Sequence, residues 1–471
     1  MTFAFVCLLL VLIITMIARQ LLVSRIGYLT VPLLAALILL VWYVPQALIV
    51  SSENIVPEAG QSIIAVMALL CLAAVFAGWH FGARSYLVKT PVGAVKASQS
   101  TPLSYAVSKI PAHRLYLLTI GFVMVAAIVQ FLISRQPPEA LTARQPTGLI
   151  VILRTLSIVN PVALFLSFML LLQKRNVVTV GLVLLALATF VGPILIKFKR
   201  NEMMEFAVVI LFCLWAMRRF SIPRAAVPVF AILGVFVLFG ASEIRKQTGY
   251  VVNDSGQLER EIVTLDTISN VDWGKVIEEG AASKAYEVTN GAYAVEYATR
   301  NELPTLGARF WNQFIFRWVP GQIVGYELKQ SLLFKLEGAD IALQDSGLTW
   351  QQGTTSTGFT EIYLDFSFPS ALFFFFMAFI TRRNFDRGLC GDLASAAVYA
   401  PMAILVMVSF THGGYYFYLA MPLILGMQFG IRLLAQQERL IPVPKNSAIE
   451  LLPYPGHAYG RPPAIQSGAG A

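Results

Sequence analysis

The sequence predicts an all-α polytopic membrane protein of about eleven transmembrane helices with one large exported loop. Three observations predict it. Of 471 residues, 57% are apolar and only 13% charged, whereas a soluble domain has about half apolar and a quarter charged. Apolar runs close to the roughly 20 residues that a bilayer core requires recur along the chain. Lysine and arginine gather in alternate short loops, the pattern that orients helices in a membrane. A net charge of +9 on a soluble chain would suggest a nucleic-acid partner. Beside these runs it is an orientation signal instead, and no nucleic acid is expected.

The expected spans are 2–18, 28–50, 61–81, 115–134, 150–173, 177–196, 203–217, 225–242, 362–380, 393–411 and 415–432. The first has no basic residues before it and no small-residue cleavage site after it, so it reads as a helix rather than a signal peptide. Arg19 and Arg25 precede the second span, and the 82–114 loop holds Arg84, Lys89, Lys96, Lys109 and Arg114 without an acid. Arg218, Arg219 and Arg224 form a third cluster, and Arg382, Arg383 and Arg387 a fourth. These alternate with the acidic 51–60 loop if the N-terminus lies outside and the C-terminus in the cytoplasm. The inner side then carries 19 basic and 4 acidic residues, and the outer side 16 and 22. The seventh run is short and opens beside Glu202 and Glu205.

The organisation follows: an N-terminal bundle of about eight helices over 1–242, an exported loop over 243–361, three helices over 362–432, and a tail over 433–471. Pro442, Pro444, Pro453, Pro455, Pro462 and Pro463 with intervening Gly and Ser make that tail read as disordered. Cys7, Cys71, Cys213 and Cys390 fall in or beside spans, so no exported disulfide framework is expected, and no Cys/His spacing suggests a metal.

The loop of roughly 120 residues is too long to be a passive connection. Within it, Arg309-Phe-Trp-Asn-Gln-Phe-Ile-Phe-Arg317-Trp places five aromatic side chains and two arginines in ten residues. That composition suits an amphipathic helix at the outer surface, as either an interfacial anchor or part of a ligand site.

Positive charge at the outer face runs against the orientation rule. Lys197, Lys199 and Arg200 follow the sixth span, Arg245 and Lys246 follow the eighth, and Arg154 lies inside an apolar run. With Arg309 and Arg317 these are eight of the sixteen outer basic residues, all bordering the bilayer. Individually they can snorkel or pair with loop acids. As a set they suit a lipid diphosphate, since the guanidinium fork binds phosphate bidentately.

The segment Gly358-Phe-Thr-Glu361-Ile-Tyr-Leu-Asp365-Phe leads from the loop to the ninth span, with Glu361 and Asp365 on one helical face at i, i+4. Glu361 reads equally as a first-turn acid favoured by the helix dipole. His412 stands at the same side before the last span.

This segment resembles the Glu-x-Tyr-x-Asn-Phe-Gly entry of bacterial O-antigen (Wzy-type) and oligosaccharide repeat-unit polymerases. Asp365 and Ser367 stand where the family has Asn and Gly. The outer basic residues are placed like that family's, and Arg245 with Gly256 has the Arg-x10-Gly spacing of some members. The resemblance implies a GT-C-like helical bundle and a glycosyltransferase acting on undecaprenyl-diphosphate-linked glycan at the periplasmic face, without metal or cofactor. It implies a chain-length regulator and a flippase as partners beside the membrane lipid. Glu361, then Asp365, then His412 are the expected bases, with the basic set on the leaving diphosphate. An O-antigen ligase shares the layout but expects a His where Thr360-Glu361 stands. A flippase expects charges through mid-membrane and two similar halves, and only Arg154 lies deep.

Overall fold

The computed structural model describes residues 2–23, 29–53, 56–83, 101–136, 149–196, 200–218, 250–252, 258–260, 286–300, 305–336 and 356–436. Among them almost all regular structure is helical, the exception being an antiparallel pair of three-residue strands, Tyr250–Val252 and Leu258–Arg260. The protein is a helical membrane protein. Seven of the described helices are long and apolar enough to cross a bilayer: Val31–Ser52, Glu58–Gly82, Ala112–Ser134, Leu149–Gln173, Val177–Ile194, Leu393–Thr411 and Tyr416–Ala435. The expected span at 225–242 and the tail beyond 436 lie outside the described residues.

In chain order the N-terminal bundle comprises α1 (Thr2–Val23), α2 (Val31–Ile38), α3 (Val44–Glu53), α4 (Glu58–Gly82), α5 (Pro102–Ser108) and α6 (Ala112–Ser134). A π turn, Leu39–Tyr43, joins α2 to α3 without a loop. Then come α7 (Leu149–Leu156), α8 (Val159–Gln173), α9 (Val177–Val191) and α10 (Arg200–Arg218). The Asn176 side chain accepts from Thr179 N while Thr179 Oγ1 accepts from Asn176 N, a reciprocal cap that fixes where α9 starts. The loop supplies α11 (Tyr286–Arg300), α12 (Ala308–Trp318), α13 (Gly321–Val324), α14 (Tyr326–Ser331) and α15 (Gly358–Phe366). Finally α16 (Ala371–Leu389), α17 (Leu393–Thr411) and α18 (Tyr416–Ala435) complete the chain.

Position in the bundle follows from which faces are apolar. α17 is apolar all round and 94% buried, so it is the central helix. α6 is equally apolar but only 28% buried, leaving Leu117, Ile128 and Phe131 facing outward. Such a surface suits contact with lipid. α4 and α16 pack backbone to backbone. Gly78 and Gly82 lie one turn apart on α4, and a Cβ on either would fall 2.1 Å from Phe375 O or 2.7 Å from Phe379 O. Small residues four apart let two backbones touch, which is how helices pack in lipid where no hydrophobic force draws them together.

The ends of the bundle differ. At the end holding Gly82, Lys174 and Gly391, acids are paired: Arg382 with Asp386 at 2.8 Å and Arg432 with Asp392 at 2.7 Å. The Arg382 guanidinium also lies 4.8 Å above the Trp79 ring. At the other end lie the loop helices, where Gly60 of α4 packs on Ala292 of α11 and Val288 N donates to Gln46 of α3.

One expected boundary is corrected. The run 362–380 is not one helix: Ser367 has φ 54°, and Phe368–Ser370 forms a 3-10 turn around Pro369. α15 is therefore a separate short helix, and the membrane-directed helix begins at Ala371.

Candidate functional site

α15 is built to lie against the end of α17. Thr357 caps it, its hydroxyl 2.6 Å from Thr360 Oγ1 and accepting from Thr360 N. A Cβ at Gly358 would sit 1.9 Å from Ser409 O, and one at Gly414 would sit 2.4 Å from Gly358 O. Only glycine at both positions permits this backbone-to-backbone contact, which fixes the height and rotation of α15 relative to Thr411–Tyr415. Tyr43, at the π turn, meets the Phe359 ring edge-on at 5.4 Å. Gly291 of α11 closes the remaining side against Thr360.

Asp365 is completely buried. Its Oδ1 accepts from the Thr305 hydroxyl and from Arg309 N at 3.3 Å, and its Oδ2 accepts from Phe310 N at 3.1 Å and from the Tyr415 hydroxyl. The backbone adds Thr305 N to Leu364 O at 3.1 Å and Leu306 N to Asp365 O at 3.0 Å. A carboxylate has about four acceptor positions, and all are occupied. Asp365 thus caps the N-terminus of α12, where unsatisfied amides and the helix dipole favour an anion. In this arrangement Asp365, expected as a candidate base, serves as the anchor of α12, its oxygens taken up by these four donors.

Glu361, one turn earlier, differs. Its carboxylate receives hydrogen bonds from the Gln313 side chain and from Gly414 N, but Oε2 is shut from solvent with no hydrogen-bond partner. Burial pushes its pKa from 4.5 up to about 7, against the lowering effects of Gln313, Gly414 N and the Arg309 charge, while Asp365 raises it further. The Arg309 Nε is also buried without a hydrogen-bond partner. Glu361 lies outside the seven spans, at the covered end of the bundle.

The cations gather on the same side. α12 packs against α7, α15 and α18. It carries Arg309, Gln313 and Arg317 at successive i+4 positions, a polar stripe on an otherwise aromatic helix. Arg317 lies 5.3 Å above the ring of Tyr416, and burial depresses its pKa. The Tyr416 hydroxyl is within electrostatic reach of Glu361, Arg317 and Arg154 of α7. Trp318 Nε1 donates to Leu419 O at 2.9 Å, tying the end of α12 to the first turn of α18.

The structure therefore brings Arg154, Arg309, Arg317, Glu361 and Asp365 together. His412 caps the end of α17, with Nδ1 2.6 Å from Thr411 Oγ1 and its ring stacked at 6.5 Å on Trp42. Arg200 opens α10, but its side chain is outside the described residues, as are Lys197, Lys199, Arg245 and Lys246. Sequence reasoning missed Gln313, Tyr415 and Tyr416. The four-residue spacing of Arg309, Gln313 and Arg317 was the available signal for the first. Nothing local marks the two tyrosines, whose roles come from contacts across the fold.

In chemical terms the arrangement is a buried carboxylate whose pKa lies near neutral, beside the Arg309 guanidinium and one tyrosine away from Arg154 and Arg317. Comparison with protein-family models, with curated proteins and with solved structures gives no match to this chain. The functional reading rests on this geometry.

Proposed function

We propose that the protein is a membrane glycosyltransferase that polymerises undecaprenyl-diphosphate-linked oligosaccharide repeat units at the periplasmic face of the bacterial inner membrane. One observation carries the reading: a buried Glu361 oxygen without a hydrogen-bond partner lies beside the Arg309 charge, next to Tyr416, which Arg154 and Arg317 also reach. In this reading the loop helices, and with them Glu361, lie on the exported side of an eleven-span, N-out topology, and the polymer is an O-antigen, capsule or exopolysaccharide.

In this reading the ionised Glu361 removes the proton from the acceptor sugar hydroxyl as that oxygen attacks the donor's anomeric carbon. The bond from that carbon to the diphosphate oxygen breaks, and the departing lipid diphosphate takes the electron pair. Arg154, Arg309 and Arg317 oppose the charge that develops there, and a dry rim strengthens that effect. The proton on Glu361 then returns to water or to the released diphosphate. Asp365 holds α12 in place, and so positions Arg309 and Gln313 without touching the reacting atoms.

The test is Glu361→Gln in the native host, read as the ladder of surface glycan. Single-repeat chains are the expected outcome. An unchanged ladder sinks the reading, free lipid-linked polymer points to a ligase, and units retained inside point to a flippase.

A further inference from the structure

The chain beyond α12 folds back on it. Trp311 Nε1 donates to Leu332 O at 2.8 Å, and Asn312 pairs twice with Phe334, donating to its carbonyl and accepting from its amide, each at 2.9 Å. Lys329 Nζ donates to Phe316 O at 3.0 Å and lies over the Phe316 ring. Gly325, at φ +91°, makes the bend between α13 and α14. These bonds fix 321–334 as an ordered hairpin arm, yet its apolar side chains are left outside. Ile323 is 80% exposed, Phe334 57%, Tyr326 56% and Leu328 52%. An apolar surface of this density marks an interface.

We propose that this arm is inserted in the interfacial layer of the bilayer, with Ile323, Leu328 and Phe334 in contact with acyl chains. Its location selects lipid as the occupant. The arm starts where Trp318 is bonded to Leu419, within the first turn of a spanning helix, and where Arg317 stacks on Tyr416. Leu425 and Phe429, further along α18, are themselves exposed and need lipid. The arm therefore continues a lipid-facing surface rather than standing apart in water. Its composition agrees: aromatic and aliphatic side chains beside Lys329 and Lys335, as at a headgroup boundary. Leu328 lies on one side of α14 with Leu332, just past its end, one turn on, whereas Gln330 points the opposite way.

The experiment uses the full chain in vesicles of phosphatidylethanolamine and phosphatidylglycerol. Single cysteines, Ile323→Cys, Leu328→Cys and Gln330→Cys, carry an environment-sensitive fluorophore, with background from native Cys7 and Cys390 measured on the unaltered chain. The expected result is a blue-shifted emission at 323 and 328, quenched several-fold more than at 330 by lipids with a nitroxide near the headgroup. Equal quenching of all three sites by a water-soluble quencher overturns the proposal. So does protection without lipid quenching, which would place protein on this face, either a second copy or another part of the chain.

Discussion

The Tyr415 hydroxyl donates to Asp365 Oδ2, joining the turn before the last spanning helix to the carboxylate that caps α12. Two residues fifty positions apart thus set whether the loop is docked on the bundle. Asp365→Asn replaces one acceptor by a donor facing the amides of Arg309 and Phe310. Loss of a buried acceptor costs about 1–3 kcal/mol. The variant is expected to expose 305–336 to limited proteolysis and to lose activity, and Tyr415→Phe to do so more mildly. Wild-type resistance to protease in Asp365→Asn would refute the anchoring role.

A second prediction concerns pH. Glu361 must be ionised to accept a proton, so with a pKa of about 7 the rate should climb between pH 6 and 8 and then level. Stability runs the other way. The folded state holds this proton more tightly than the unfolded chain, so the contribution is present below the unfolded value and is lost as pH rises through about 7. At pH 8 Glu361→Gln should therefore be inactive yet melt higher than the parent, by on the order of 1–3 kcal/mol. Melting curves at pH 5 and pH 8 check the sign.

The guanidinium groups can be separated from the carboxylate by kinetics. Alanine at Arg154, Arg309 or Arg317 removes a charge-assisted hydrogen bond of about 1.5–3 kcal/mol, roughly a 10- to 100-fold loss of kcat/KM. Lysine at 317 should rescue only part, because the fork and its stacking on Tyr416 are lost. Kinetics with lipid-linked repeat units in vesicles would show full rescue by lysine if shape were irrelevant.

Glycine contacts offer a test of the fold alone. Gly358→Ala forces a Cβ to 1.9 Å from Ser409 O, and Gly78→Ala one to 2.1 Å from Phe375 O, whereas a Cβ at Gly121 meets nothing within 4 Å. The first two should destabilise by about 1–3 kcal/mol, and Gly121→Ala should be neutral or mildly stabilising, as alanine is the better helix former. The buried thiols of Cys71 and Cys213 report unfolding when a thiol-reactive dye gains access to them on heating.

The long apolar runs were readable because 3.6-residue geometry and bilayer thickness act locally. The run at 362–380 misled because Ser367-Phe-Pro369 is apolar enough to pass for helix, while the backbone there turns with a positive φ at Ser367. The site was partly readable for a similar reason. The i, i+4 relation of Glu361 and Asp365 is local, and it held. Which of the two would be saturated was not local: it depends on α12 arriving with its amides exposed, some 55 residues away in sequence. The orientation rule drew attention to Arg154, Arg309 and Arg317 because charge beside the outer bilayer face runs against it.

α15 carries a latch and a reactive group on adjacent turns: Asp365 fastens the loop, and Glu361 faces what the loop brings. Undocking α12 would release Asp365's donors and withdraw Gln313 and Arg309 from Glu361 in the same motion. In the proposed reaction, one docked position of α12 therefore sets both the attachment of the loop and the polar surroundings of Glu361.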